Sequence, residues 1–271
     1  MVVLAGATGR LSRLTSIKPP VMNLYVRGAL PSDEGKLVAI VGARSATRSA
    51  TERTRALATE LASAGAAVIS GGALGVDAAA HEGALAGGAM TWAVLGCGPD
   101  VVYPDRHARL FPRIVDRGGL LSEYAPGTQP VAWHFPARNR LIAALADVVV
   151  LIEAGARSGS LHTARAAFKL GRPVLAVPGS AGTDGLLADG LARPLGDVTD
   201  LLGHCRGAAR KEVPDRLGPL LEGLKKGSDP ADLAKVLARP VGEVLALLVE
   251  AELEGFICRR PGGRFEVLRV H

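Results

Sequence analysis

Aromatic residues are scarce in this chain: phenylalanine, tryptophan and tyrosine make up 4% of its 271 residues, against 48% hydrophobic overall. A core drawn from that stock is aliphatic and alanine-rich. Cysteine is scarce as well. Cys97, Cys205 and Cys258 stand far apart and form no CxxC pair, as expected of reduced thiols in a cytoplasmic protein. The amino terminus lacks the charged-then-apolar pattern of a signal peptide. No apolar run approaches the ~18 residues of a membrane span, because Asp147 interrupts the best candidate. Internal repeats and low-complexity stretches are also missing. What remains is a soluble, intracellular chain with a mild basic excess, +6 net charge and a pI near 9.5. That excess permits a polyanionic partner without requiring one.

Short apolar runs alternate with longer amphipathic stretches. Strands are expected at Leu37–Val41, Ala66–Ile69, Met90–Leu95, Gly119–Ser122, Asp147–Ile152 and Pro173–Val177. Helices are expected at Ala50–Ala64, Val76–Ala86, near Arg106–Asp116, and at Ser160–Leu170. Continuous apolar strands that alternate with helices imply an α/β domain, a doubly wound, mostly parallel sheet covered on both faces. Residues 1–36 read as a poorly patterned lead-in, 37–202 as the α/β domain and 203–213 as a linker. Residues 214–271 carry three helical patterns and two strand-like runs around Pro261-Gly262-Gly263, the outline of a small winged-helix domain.

The chemistry gathers where strands end. The first strand runs into Gly42-Ala43-Arg44-Ser45, with Arg48 beyond; small residues there let backbone N–H groups approach an anion, and Arg44 adds a guanidinium fork. The second ends in Ser70-Gly71-Gly72, followed by Asp77 and His81, which share the spacing of metal ligands on a helix but are better explained as a capping Asp and a surface His. Phe135-Pro136-Ala137-Arg138-Asn139-Arg140 offers a ring for base stacking and two arginines for phosphate. Arg157-Ser158-Gly159-Ser160 follows the fifth strand. In a doubly wound sheet these carboxyl ends share one edge, where ligands bind. Taken singly, each segment is also explained by a tight turn or a solvated basic edge. Glu123, Glu153 and His134 lie near that edge but complete no catalytic constellation. Binding without chemistry is the expectation, with no metal or nucleotide cofactor.

These motifs, together with Tyr103-Pro104, Leu121-Ser-Glu-Tyr124 and Ala176-Val-Pro-Gly179, occur in an order that resembles the DNA-processing protein DprA (Smf) family over roughly residues 21–202. The resemblance implies an extended Rossmann-like domain that binds single-stranded DNA, loads the RecA recombinase onto it during natural transformation, and dimerises. It also implies a winged helix at the end of the chain. Residues 1–36 are too short for the helical amino-terminal domain of some members. The family's Gly-Ser-Arg motif stands here as Gly42-Ala43-Arg44, with one hydroxyl donor fewer. Its Gly-x-Asn appears as Gly182-Thr183-Asp184. Two alternatives stay open. Nucleotide phosphoribohydrolases of similar fold carry a Pro-Gly-Gly-x-Gly-Thr loop, where this chain has Glu153-Ala-Gly-Ala-Arg-Ser-Gly-Ser. A protein-interaction adaptor with a degenerate pocket is the other.

Overall fold

In the computed structural model, residues 2–4, 7–205, 216–225, 230–253, 257–259 and 265–267 are described. The chain divides into two compact units, Met1–Arg206 and Gly207–His271.

The first unit opens with β1 (Val2–Val3), α1 (Gly9–Ser16) and β2 (Asn23–Gly28). The doubly wound part follows: β3 (Leu37–Val41), α2 (Arg48–Ser63), β4 (Ala67–Ser70), α3 (Val76–Ala86), β5 (Thr91–Leu95), a 3-10 turn (Asp105–His107), α4 (Leu110–Arg117) and β6 (Gly119–Ser122). After these come α5 (His134–Leu145), β7 (Val148–Leu151), α6 (Ser160–Lys169), β8 (Val174–Ala176), α7 (Ala181–Ala188), β9 (Arg193–Pro194) and α8 (Val198–Cys205). The strands pair in the order β1-β2-β6-β5-β4-β3-β7-β8-β9. The run from β6 to β9 is parallel throughout, while β1 and β2 pair antiparallel at one side. This is a mixed α/β fold of Rossmann-like type.

Alternation along the central strand sorts the two layers. Leu37, Ala39 and Val41 join a core with α1, α5, α6 and α7, while Val38 and Ile40 join the opposite core with α2, α3 and α8. All five residues of β3 are buried, which is why it reads as an uninterrupted apolar run. From β3 the chain winds outward one way through β4, then returns to place β7 on the other side of β3. A crevice opens at such a reversal, at the carboxyl ends of the two strands.

Two expectations need correction, and one helix has no counterpart among them. Residues 1–36 are not an unpatterned lead-in; β2 pairs with β6 from Tyr25↔Ser122 to Gly28↔Gly119. Leu4, Leu14, Ile17, Val21 and Leu24 add to the main core, and a buried charge, which hydrophobic periodicity does not register, adds a further tie. Arg10 is buried and bonds to both carboxylate oxygens of Asp147 at 3.0 and 3.1 Å, and Asp147 also accepts from Leu37 N–H at 2.9 Å. The stretch expected as one helix near Arg106–Asp116 is instead a 3-10 turn and α4. The segment from His134 to Leu145 is a full helix, although its start is polar and carries Pro136.

The second unit contains α9 (Gly218–Lys225), α10 (Pro230–Val236), α11 (Val241–Leu253) and an antiparallel pair, β10 (Ile257–Arg259) with β11 (Phe265–Val267). Leu220, Leu233, Val244, Leu248 and Ile257 form its core. The expected turn at 261–263, and Arg260, Arg264 and Arg269, lie outside the described residues. So does most of the expected linker, whose first residues, 203–205, end α8.

Candidate nucleic-acid interface

A cleft of about 600 Å³ opens at the reversal between β3 and β7. Gly42, Ala43, Arg44 and Ser45 come to it from the loop after β3; Arg157, Ser158, Gly159 and Ser160 come from the loop after β7 and the start of α6. Phe135, Arg138 and Asn139 reach it from α5.

The two loops are tied to each other and to α3. Ala43 N–H donates to the Glu153 carbonyl at 2.7 Å, and Val76 N–H donates to the Ala43 carbonyl at 3.2 Å. Gly75 makes the second approach possible. It sits at φ +74°, and a Cβ there would lie 2.3 Å from the Ala43 oxygen. The Glu153 carboxylate accepts from the Thr47 hydroxyl at 2.6 Å and from Thr47 N–H at 3.1 Å. The same hydroxyl accepts from Ala50 N–H and caps α2. That cap is why α2 begins at Arg48 rather than at Ala50.

The neighbouring arginines of α5 are used differently. Arg138 is 3% exposed. It donates to the carbonyls of Gly71 and Val94 and to the Asn139 side-chain oxygen. Burial pulls its pKa down to about 10, which leaves it cationic at neutral pH, and the Asp77 carboxylate partly offsets that pull. Asp77 accepts from Gly71 N–H and Ala73 N–H; burial pushes its carboxyl above the ordinary range, against Arg138 and those amides. Both groups crowd Gly71, where a Cβ would lie 2.7 Å from each. Asn139 donates to the Gly159 carbonyl at 3.1 Å, fastening α5 to the first turn of α6. The Arg-Asn pair is thus the frame of the cleft, with one cation built into its wall.

Arg44 and Arg157 are exposed and have no ion-pair partner among the described residues. The Arg44 guanidinium carbon stands 5.3 Å from the centre of the Phe135 ring, a cation–π contact that orients the side chain toward the cleft. The amino-terminal end of α6 adds a partial positive charge beside Ser158 and Ser160, whose hydroxyls bond to each other at 2.8 Å.

Four expected residues stand apart. Arg140 is held bidentately by Glu123 at 2.6 and 2.9 Å, so its fork is already occupied by a carboxylate. Arg48 pairs with Glu52 on the outer face of α2. Gly71 and Gly72 are buried beneath the cleft; the N–H of Gly71 goes to Asp77, and Gly72 packs near Leu95, Ala93 and Phe111. Asp77 and His81 are not a capping Asp and a surface His. Both are buried, and His81 Nδ1 bonds to the Thr91 hydroxyl at 2.8 Å. Thr163 also lines the cleft; it lies three residues after Ser160, on the same helical face, and that spacing was available in the sequence.

The groups weighed for catalysis all have structural partners. Glu153 holds Thr47, Glu123 holds Arg140, and His134 Nδ1 meets the Gly96 carbonyl at 3.1 Å while its ring stacks on Tyr124. Among the described residues no group of three or more His, Cys, Asp or Glu could hold a metal ion, and no helix is long and apolar enough to cross a membrane.

Comparison with known proteins agrees with this geometry. The model of the DNA recombination-mediator protein A family matches residues 10–206. The DNA processing protein DprA of Mycobacterium tuberculosis is 44% identical over 191 residues, which cover 67% of this chain and 49% of the relative. Protein Smf of Escherichia coli is 34% identical over 270 residues, covering 91% of this chain and 72% of Smf. The chain spans about half the length of the mycobacterial relative. Among solved structures, DNA processing protein A of Helicobacter pylori, studied for its single-stranded-DNA binding mode, superposes with a TM-score of 0.65 at 36% identity over 70% of this chain and 90% of that one. DprA of Streptococcus pneumoniae gives 0.63 at 36% identity, covering 70% and 69%. The cleft between β3 and β7, its Arg-Asn frame and these matches have one reading: the chain belongs to the DprA/Smf family of DNA recombination-mediator proteins.

Proposed function

We propose that this protein binds single-stranded DNA in the cleft between β3 and β7 and hands it to the RecA recombinase during recombination or natural transformation. The observation that carries the proposal is a pair of exposed arginines, Arg44 and Arg157, that have no acidic partner among the described residues and face one cleft beside an aromatic ring. Guanidinium groups left without carboxylates are available for phosphate. The H. pylori relative, studied for its single-stranded-DNA binding mode, supports the same choice of ligand. Action as a homodimer in the cytoplasm and transfer to RecA are further parts of the proposal, drawn from the family. The phosphoribohydrolase reading is weaker, because Glu153 is engaged at the cap of α2.

Arg44→Ala and Arg157→Ala are each expected to weaken oligo-dT binding and to flatten the plot of log K against log salt by about 0.7. Arg140→Ala is expected to leave the slope unchanged, since its charge is spent on Glu123. Fluorescence anisotropy across a salt series checks all three. Unaltered slopes in both Arg44→Ala and Arg157→Ala would remove the phosphate assignment.

The winged-helix reading of residues 214–271 is supported by three helices and an antiparallel strand pair around one apolar core. Duplex readers of this type place a helix in the major groove. Here α11 has no Lys or Arg, exposes Val241, Leu245 and Val249 at helical spacing, and carries Glu243 on its outside. That helix offers phosphates no cation of its own. The expected outcome is that residues 208–271 show no sequence-selective duplex binding in a mobility-shift assay, and that a chain ending near residue 207 keeps most single-strand affinity. Loss of single-strand binding on truncation, with the remaining domain folded, would contradict this division.

A further inference from the structure

The chain has ten aromatic residues, five Phe, three Tyr and two Trp, and four of them meet where α5 begins. Tyr103 lies 5.4 Å from Phe135, ring centre to ring centre, and Phe135 in turn carries Arg44. Two residues earlier in the chain, Trp133 stands edge-on to His134 at 4.1 Å, and His134 is stacked on Tyr124 at 3.8 Å. Gly96 joins the two groups: its carbonyl meets His134, and its Cα is so close to Phe135 that a Cβ would lie 2.9 Å from the ring. Phe135 lines the phosphate cleft, whereas Tyr103 and Trp133 lie outside it.

Exposure is what sets these rings apart from the core. Trp133 is 65% exposed and Tyr103 is 40% exposed, although a chain this poor in aromatics has a use for each in its interior. Single exposed apolar side chains are ordinary. A ledge of two exposed rings at the start of one helix, Tyr103 against the cleft residue Phe135 and Trp133 against the buried His134, is a different arrangement. Its flat π-faces suit unpaired bases, which stack without regard to sequence.

We propose that Trp133 and Tyr103 form a second subsite, a stacking platform that takes the bases of single-stranded DNA leaving the cleft at Phe135. This rests on the single-stranded-DNA reading above. The cleft holds phosphate and the ledge holds base, so the two contributions can be separated by choice of probe.

The test uses the full chain with oligo-dT and with an abasic oligonucleotide of equal length. Wild type is expected to bind oligo-dT more tightly than the abasic strand. Trp133→Ala and Tyr103→Ala should each cost about tenfold in oligo-dT affinity, leave abasic affinity unchanged and leave the salt slope unaltered, since neither removes a cation. Trp133→Phe should recover most of the loss. Fluorescence supplies a direct readout, because the other tryptophan, Trp92, is buried with its indole N–H on the Ala29 carbonyl. Oligo-dT should quench the emission of wild type, the abasic strand should not, and Trp133→Phe should lose the response. If wild type binds oligo-dT and abasic strands equally, with the expected salt slope, the platform is refuted while the phosphate reading stands. If it binds neither, both fall. A Trp133→Ala variant that changes oligomeric state but not oligo-dT affinity would assign the ring to a protein contact and overturn the proposal.

Discussion

Asp147→Ala should be among the most damaging single substitutions in the first unit, costing about 3–5 kcal/mol, the usual range for removing one partner of a buried ion pair. The residue interrupts an apolar stretch at the foot of β7, where a hydrophobic side chain looks harmless. Its carboxylate, however, takes Arg10 bidentately, Arg13 at 3.1 Å and the Leu37 N–H. Removing it leaves the Arg10 guanidinium buried without a counter-charge. Asp147→Asn keeps the shape and some hydrogen bonds, so it should cost less. A paired change, Arg10→Met with Asp147→Leu, removes both charges but strands the Leu37 N–H, leaves the Leu145 carbonyl only Arg13 at 3.4 Å and takes Asp147 from Arg13, so only part of the loss returns. Urea denaturation of the four proteins gives the comparison. A cost below about 1 kcal/mol for Asp147→Ala would mean that α1 and β2 are held by apolar contacts and the β2–β6 ladder without help from the ion pair.

The second large effect is a dependence on acid. His81 is fully buried beneath the cleft, with Nδ1 on Thr91 and no hydrogen-bond partner for Nε2 among the described residues. Burial first, and then the neighbouring His107 and Arg138, lowers its pKa from 6.5 to about 3. Between those values the unfolded chain takes up a proton that the native fold refuses. The stability tied to His81 is therefore complete above pH 6.5 and falls as the pH drops toward 3, at up to ~1.4 kcal/mol per pH unit. Carboxylates elsewhere add their own acid dependence, so the informative comparison is with His81→Gln. The variant should gain on wild type steadily as the pH falls from 6.5 to 4. Parallel stability curves would show that His81 does not titrate differently in the two states.

The central strands were legible because burial on both faces leaves them no polar positions, and β3, α3 and β6 begin and end where their patterns do. The cleft was legible for a topological reason: loops after parallel strands must meet at one edge. What the pattern did not carry was the fate of individual charges. Arg138 and Arg140 are two residues apart on a helix and so point to different sides. Which of them is buried depends on Glu123, delivered by β6, and on the carbonyls of Gly71 and Val94. Part of the attachment of residues 1–36 escaped notice for the same reason, since beside its apolar contacts it uses one arginine meeting one aspartate 137 positions away. Trp133 passed unremarked because an exposed tryptophan has no periodic signature.

Both margins of the nine-stranded sheet end in strands of only two residues, Val2–Val3 and Arg193–Pro194. One of these contains a proline, which has no N–H to offer a neighbour. Strands this short give an incoming chain almost no ladder to extend, the device by which sheets avoid open-ended growth. Two copies of this protein, if they associate, are therefore directed to do so through side-chain surfaces rather than by running one sheet into the next. An assembly built that way would be closed rather than open-ended.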